Sequence, residues 1–275
     1  MLRFLSEYFA EQKIDLFAPI PLSECEIRKP YLLEREGISG GTAVLIAVPY
    51  FTRACLSPDR NLSAYAVSRD YHGFFESFFA GLLPVLRNKY PNERFAGFAD
   101  HSPIAELQAA ARAGLGVIGK NSLLITEKYS SYVFLGELIT SARLPAQIKP
   151  ISPCIGCEKC KTACPIEKIG TCLSALTQKK GELTEKERTD LLAYGSVWGC
   201  DLCQEVCPYT QKAIRNETIF SEIPYFQVDC TPHLTLEILD GMNDEQFSRR
   251  AYSWRGRDTI RRNLALMEKA EKKGG

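Results

Sequence analysis

The sequence predicts an α+β protein in three parts: a mixed α/β region over residues 1–148, a cysteine-dense region over 149–212 and a short helical segment over 213–275 that packs back on the core. Three observations predict it. Apolar residues in the first part switch between helical spacing and short β-branched runs. Eight of the eleven cysteines fall between residues 154 and 207. The last sixty residues return to helical spacing with no further cysteine beyond Cys230.

Residues 1–14 have the spacing of an amphipathic surface helix. Glu7 comes early and no small-residue cleavage site follows, so this is not the pattern of a signal peptide. The run Thr42–Pro49 reads as a buried strand, and residues 69–88 carry aromatic and leucine positions at helical spacing. Ser102-Pro103 has the form of a helix start, with Ser as N-cap and Pro at the first helical position. That helix is expected to run through Ala109–Ala111 and stop near Gly114. Leu123–Thr126 and Tyr132–Ile139 read as strands, and Leu234–Leu239, Asp244–Arg250 and Asp258–Lys272 as helices.

A 275-residue chain with 45% hydrophobic residues can bury a sizeable core. Its net charge of +1 advertises neither nucleic acid nor an acidic partner. No apolar run reaches the length of a membrane span. A cytoplasmic protein is expected, where thiols stay reduced and dense cysteine points to metal or redox chemistry.

The cysteine pattern sharpens this. Cys154-x2-Cys157-x2-Cys160-x3-Cys164-Pro165 is the bacterial ferredoxin spacing, in which three thiolates wrap one cubane and the fourth reaches the other. Cys200-x2-Cys203-x3-Cys207-Pro208 repeats the pattern without its first cysteine, which Cys172 can supply. The expected sets are crossed: Cys154, Cys157, Cys160 and Cys207 hold one 4Fe–4S cluster, and Cys164, Cys172, Cys200 and Cys203 the other. Soft thiolates suit such clusters. Structural zinc is the alternative for any four thiolates, although zinc ribbons pair two short hairpin motifs. Cys25, Cys55 and Cys230 read as small core residues.

Several stretches resemble the epoxyqueuosine reductase family. Leu62-Ser-Ala-Tyr-Ala-Val-Ser-Arg-Asp-Tyr-His72 is similar to its "SRYA-x-GRDYH" stretch, Asp100-His-Ser-Pro103 to "VDTAP", and Ala113–Ile125 to "AGLGWIGKNTLLI" with Val117 in place of tryptophan. Phe134–Leu138, Cys172–Thr177, Gly199–Gln204 and Arg261–Leu264 resemble "FLGEI", "CISYLT", "GCDxCQ" and "kRNal" in the same order along the chain.

The resemblance implies a cobalamin-binding first domain of the reductive-dehalogenase type and reduction of epoxyqueuosine to queuosine in tRNA. It places Asp100 as proton donor and makes Tyr65, Arg69 and His72 cofactor or pocket contacts. Gly119, with Lys120, Asn121 and Ser122, then allows close approach to the corrin and offers it polar groups, and Ser174 stands between cluster and corrin. Read alone, Asp100 is a helix-flanking carboxylate. To donate a proton near neutral pH it needs burial that raises its pKa. Gly114-x-Gly116-x-x-Gly119 follows a helix and precedes a strand, the wrong context for a dinucleotide fingerprint.

The resemblance also implies a flavodoxin or ferredoxin electron donor. The protein is expected to be a monomer, and a short form lacking the family's C-terminal helical-repeat region. From Arg249 onward there are nine Lys or Arg against three acids. Arg249, Arg250, Arg255, Arg257, Arg261 and Arg262 are candidate phosphate contacts, and Trp254 a candidate base-stacking residue. Two other readings stay open: a corrinoid reductase of a small molecule, and a ferredoxin-like electron carrier.

Overall fold

The computed structural model describes residues 1–274. The chain forms two compact units interleaved along the sequence. Unit 1 comprises Met1–Tyr50, Tyr71–Cys157 and Lys212–Ile223; unit 2 comprises Phe51–Asp70, Glu158–Gln211 and the chain from Pro224 onward.

Unit 1 is built on a four-stranded antiparallel sheet. Its strands are β1 (Phe17–Pro21), β2 (Thr42–Pro49), β3 (Phe95–Phe98) and β6 (Val133–Thr140), in the order β1-β2-β6-β3. All eight residues of β2 are buried, as its unbroken apolar run requires. Val44, Leu45, Ile46 and Val48 each contribute roughly 1.5–3 kcal/mol through burial. A two-stranded ladder pairs β4 (Val117–Ile118) with β5 (Leu124–Ile125), a shorter strand than Leu123–Thr126.

Helix α1 (Leu2–Glu11) buries Leu5 and Phe9. Next come α2 (Pro30–Arg35) and α3 (Tyr71–Lys89), which buries Phe74, Phe75, Phe78, Phe79, Leu82 and Leu86, the helical stripe expected over 69–88.

Helix α4 (Glu106–Arg112) starts three residues later than Ser102-Pro103 suggests, and Ser102 is not its cap. The Pro103 carbonyl accepts from the Arg28 and Lys29 amides at 2.8 and 3.1 Å, and Ile104 bridges Ile27 in antiparallel pairing. Those contacts hold 103–104 extended. The Ser102 hydroxyl closes a local turn on Ile104 instead, accepting from its amide at 3.1 Å and donating to its carbonyl at 3.0 Å. The alanines of α4 pack into one core with Ala43, Leu45, Ala47 and Ile139.

Unit 2 is helical. Short helices Lys159–Ala163, Ile166–Ile169, Leu173–Thr177 and Leu202–Glu205 carry or flank the cysteines. One apolar cluster joins Leu62, Trp198, Leu239, Tyr252 and Ile260; another joins Leu173, Leu176, Leu183 and Leu191. The C-terminal helices are Leu236–Gly241, Asp244–Ser248 and Arg257–Gly274. Among the described residues, no helix is long and apolar enough to cross a membrane.

Candidate functional site

In unit 2, cysteines from three stretches act on one another. Cys164 ends helix Lys159–Ala163, Cys172 is the N-cap of Leu173–Thr177, and Cys200 and Cys203 flank Asp201. The Lys159–Ala163 and Leu202–Glu205 helices pack together. Burial pushes the Cys200 thiol up to about 11, helped by Asp201, Cys172 and Cys164. Burial likewise pushes Cys203 up to about 12, helped by Cys200, Cys164, Asp201 and Cys160. Two thiols held protonated by burial and by neighbouring thiols suit a cationic core that would neutralise them. Among the described residues, no three His, Cys, Asp or Glu are arranged to hold one metal ion. A four-iron core ligates each thiolate at a separate iron, a wider arrangement.

Of the other expected set, Cys160 and Cys207 lie in unit 2, and Cys154 and Cys157 in unit 1. The Cys154 segment is zipped onto β4: Ile118 donates to the Ser152 carbonyl and Cys154 to the Ile118 carbonyl, each at 3.3 Å. The Gly156 amide, followed by the Lys120 amide and ammonium, lowers the Cys154 thiol. Lys120 therefore lies beside Cys154.

Asp201 was missed as a site residue, although it lies within Gly199–Gln204. It is 5% exposed. Its carboxylate accepts from Ser63 Oγ and the Ala64 amide at 2.6 Å, Arg60 Nη1 at 2.7 Å and Gln204 Nε2 at 3.0 Å. The hub fixes the Cys200–Cys203 corner against residues 60–64. Gly199 makes the approach possible: its φ is +74°, and a Cβ there would lie 2.4 Å from Ser63 Cβ.

Tyr65 and Ser174 come together in unit 2, where Gln178 Nε2 donates to the Tyr65 hydroxyl at 3.3 Å and to Ser174 Oγ at 3.1 Å. Burial raises the Tyr65 phenol, which stays protonated. Ser174 also lines a cavity of about 650 Å³ with Cys172, Lys179, Lys180 and Arg255. Arg69 is engaged by Asp229 at 2.5 Å.

In unit 1, a cavity of about 370 Å³ opens between α4 and β6. Leu107, Leu123, Leu124, Val133, Phe134 and Leu135 form its apolar wall; Tyr71, Asp100, Glu106, Ser122 and Ser131 supply polar groups. Tyr71 stacks on Phe134 with centroids 4.2 Å apart and rings within 14° of parallel. Asp100 occupies a left-handed corner, φ +64°, with Oδ2 3.7 Å from His72 Nε2. Its side chain is 68% exposed, so protein atoms do not supply the burial expected of a proton donor. Gly119 to Ser122 forms a tight turn, the Ser122 amide donating to the Gly119 carbonyl at 2.9 Å. Asn121 Oδ1 accepts from the Leu123 amide at 3.4 Å, while its Nδ2 is buried with no partner.

Most of the C-terminal arginines are committed within the fold. Arg250 bonds Thr231, Arg257 the Leu239 and Met242 carbonyls, Arg261 Asp240, and Arg262 the Lys179 carbonyl. Arg249 pairs with exposed Glu245 at 2.5 Å. Trp254 is exposed, with the Arg255 guanidinium stacked 3.8 Å from its ring centre.

No protein-family model matches the chain. It is 34% identical over 213 residues to the epoxyqueuosine reductase of Listeria monocytogenes, covering 72% of this chain and 54% of that protein. It is 30% identical over 244 residues to that of Lactococcus garvieae, covering 81% and 67%, and 32% identical over 199 residues to that of a Synechocystis strain, covering 68% of each. It thus spans about half to two thirds of these relatives. The Streptococcus thermophilus epoxyqueuosine reductase superposes with a TM-score of 0.77 at 23% identity, over 97% of this chain and 80% of that one. An epoxyqueuosine reductase with an epoxyqueuosine-modified tRNA-Tyr stem loop gives 0.75 at 25% identity, over 97% and 81%. A Bacillus subtilis structure of TM-score 0.75 and 24% identity, matching 97% of this chain and 81% of that one, has its catalytic aspartate loop swung out of the active site. The cysteine corner, the Asp100 cavity and these matches over most of the chain place it in one family: the chain belongs to the epoxyqueuosine reductases.

Proposed function

We propose that this chain reduces epoxyqueuosine to queuosine in tRNA, with two 4Fe–4S clusters passing electrons to a cobalamin and Asp100 giving a proton to the opening epoxide. In this reading residues 1–148 hold the cobalamin, residues 149–212 form a ferredoxin-like cluster domain, and 213–275 pack back on the core. The observation that carries it is the unit 1 cavity, an apolar wall with Asp100 and Ser122 at its edge, in a member of this family.

The residues present suit both groups. Cys164, Cys172, Cys200 and Cys203 offer four mutually interacting thiols, and Cys154, Cys157, Cys160 and Cys207 are assigned to the second cluster. The buried, partnerless Asn121 Nδ2 is a donor that a corrin amide carbonyl would satisfy. Gly119, Lys120 and Ser122 share its turn, and Tyr65, Arg69, His72 and Ser174 are the further contacts assigned to the cofactor. Cobalamin, when bound, supplies low-valent cobalt able to reduce a strained C–O bond. Asp100 protonates the oxygen as that bond opens, which lowers the barrier to expelling an alkoxide. Closure of its corner over substrate gives the carboxyl the burial it lacks, a movement with a counterpart in the swung-out loop of the Bacillus subtilis enzyme. Exposed Trp254, with the half-buried Arg255 guanidinium stacked on it, is offered to tRNA, a flavodoxin or ferredoxin is the electron donor, and the enzyme works as a cytoplasmic monomer.

The test is anaerobic reconstitution with iron, sulfide and cobalamin, followed by nucleoside analysis of epoxyqueuosine-containing tRNA supplied with a low-potential reductant. Queuosine should replace the epoxide. Asp100→Ala should keep iron and corrinoid content and lose about a hundredfold or more in turnover. Unchanged epoxyqueuosine with the wild-type protein rejects the function, and near-normal turnover by Asp100→Ala rejects the proton donor.

A further inference from the structure

Converting an epoxide to an alkene consumes two electrons and two protons. Both C–O bonds break, the C–C single bond becomes double, and the oxygen leaves as water. A one-electron flavin or iron–sulfur protein supplies the electrons in two steps. Asp100 carries one proton, so a second acid is needed, or a rapid way to reload the first.

The cavity wall holds one other carboxyl, Glu106, the first residue of α4. Behind it on β6 stands Glu137, across from Leu45 on β2 and Phe98 on β3. Strand alternation puts Glu137 on the same face as Leu135 and Ile139, the face packed by the α4 core. Glu137 is 0% exposed, and neither of its carboxyl oxygens has a hydrogen-bond partner; Glu106 Oε2 is also buried and without one. Ser102 is the polar group that favours the Glu137 anion, but its hydroxyl is spent on Ile104. An acid left bare in a core is tolerable only when neutral.

We propose, resting on the reductase reading above, that Glu106 and Glu137 form an internal proton store for the unit 1 cavity, with Glu106 giving the second proton of each turnover or reloading Asp100. One acid fully buried in the core and one half-buried at the cavity wall, with a buried oxygen, have the placement such a store needs. The surroundings set the order of ionisation. Burial, then the Asp100 carboxylate, pushes Glu106 up to about 7 against the pull of Lys29, overriding the helix N-terminus that would favour its anion. Burial, then the Glu106 charge, holds Glu137 well above the carboxylate range, with only Ser102 opposing. The thiol of Cys25 also feels Glu137, with Arg112 and Glu24 nearby. Near neutral pH Glu106 exchanges its proton, with Glu137 behind it held toward its neutral form.

Two measurements test this. The first uses the protein without cofactors: infrared titration with carboxyl-labelled glutamate. Two protonated glutamate bands should persist where ordinary glutamates have ionised. The band removed by Glu106→Gln should titrate near neutrality, and the band removed by Glu137→Gln well above the ordinary glutamate range. Asp100→Asn should move the first midpoint down, a shift that a merely structural role for Glu106 would not produce. Finding every glutamate ionised by about pH 6 overturns the store without needing any variant to fold. The second uses the reconstituted enzyme. Wild-type turnover should fall as pH rises through neutrality, and Glu106→Gln should lose about a hundredfold in kcat with KM nearly unchanged and abolish that limb. An active wild type whose rate and pH profile survive Glu106→Gln overturns the proton role. An inactive wild type with both infrared bands present rejects the reductase reading, and the turnover role falls with it while the buried acids stand.

Discussion

Each unit buries an acid, and the two are treated in opposite ways. In unit 2, Asp201 is enclosed by four donors, among them the Arg60 guanidinium and the Ala64 amide. In unit 1, Glu137 is fully buried beside the apolar core, and neither of its carboxyl oxygens has a hydrogen-bond partner. A carboxylate with its lone pairs satisfied is a fastener: it ties residues 60–64 to the cysteine corner. A bare carboxyl in a core must hold its proton, which makes it available chemistry and a standing cost to folding as pH rises. The same contrast runs through the units as wholes. The sheet of unit 1 is held by apolar area. The Lys159–Ala163 and Ile166–Ile169 helices of unit 2 bury no residue fully.

The largest effect is therefore expected at the fastener. Asp201→Ala leaves Arg60 with only partial compensation from Glu205 and strips the Ser63 hydroxyl and Ala64 amide of their acceptor. Breaking a buried pair in this way costs about 3–5 kcal/mol. Denaturant unfolding checks it, with iron content as a second readout, since the Cys200–Cys203 corner loses its anchor. A loss below about 1 kcal/mol would mean the hub behaves as a surface pair, and the contrast with Glu137 would collapse.

A smaller, pH-shaped effect is expected in unit 1. Glu106 and Glu137 both have folded pKa values above their unfolded ones. Their contribution is fully present below the unfolded value and is lost as pH rises through the folded one. For Glu106 that window runs from the ordinary 4.5 to about 7. Completing it costs on the order of 3 kcal/mol. Wild-type stability should decline over this range, and Glu106→Gln should flatten the decline. Stability that is level from mildly acid to neutral pH in both proteins would show that neither acid is held protonated.

How much of this was legible follows from how local each signal is. The Cys154–Cys164 and Cys200–Cys207 runs are written in short spacings; Cys203 feels Cys160 as well as Cys200 and Cys164. The β2 strand is equally local, eight apolar or β-branched residues in a row. The β1 strand was missed because Pro19 and Pro21 argue against pairing, and as an edge strand it tolerates them. The β3 strand was missed because Gly97 weakens the pattern. Its glycine is needed because Phe79 fills the place of a side chain, lying 2.3 Å from where a Cβ would stand. The roles of Asp201 and Glu137 were illegible for a longer-range reason. Three of the four donors to Asp201 lie some 140 residues away. Glu137 sits inside Phe134–Leu138, where nothing in the local pattern shows that its neighbours offer no donor. Asp100 was placed by resemblance, and its exposure was not foreseen.

A third acid gives the smallest effect and sharpens the rule. Glu187 closes the capping box of helix Glu185–Tyr194: its Oε2 accepts from the Thr184 amide at 2.8 Å, and the Glu187 amide donates to Thr184 Oγ1 at 3.3 Å. Lys179 Nζ adds a contact at 2.7 Å and, with the Thr184 amide, lowers the carboxyl to about 2. Glu187 is thus satisfied like Asp201 but lies near the surface, where water competes for every one of these bonds. Thr184→Ala should cost about 1 kcal/mol, well below Asp201→Ala. The sign with pH is opposite to that of Glu106: the contribution of Glu187 is present above its unfolded pKa and is lost as pH falls toward 2. Urea unfolding of Thr184→Ala and Glu187→Gln at neutral and acid pH separates the cases. If either variant costs as much as Asp201→Ala, burial is not what makes the hub strong, and the difference between the buried acids would have to lie in the number of their partners alone.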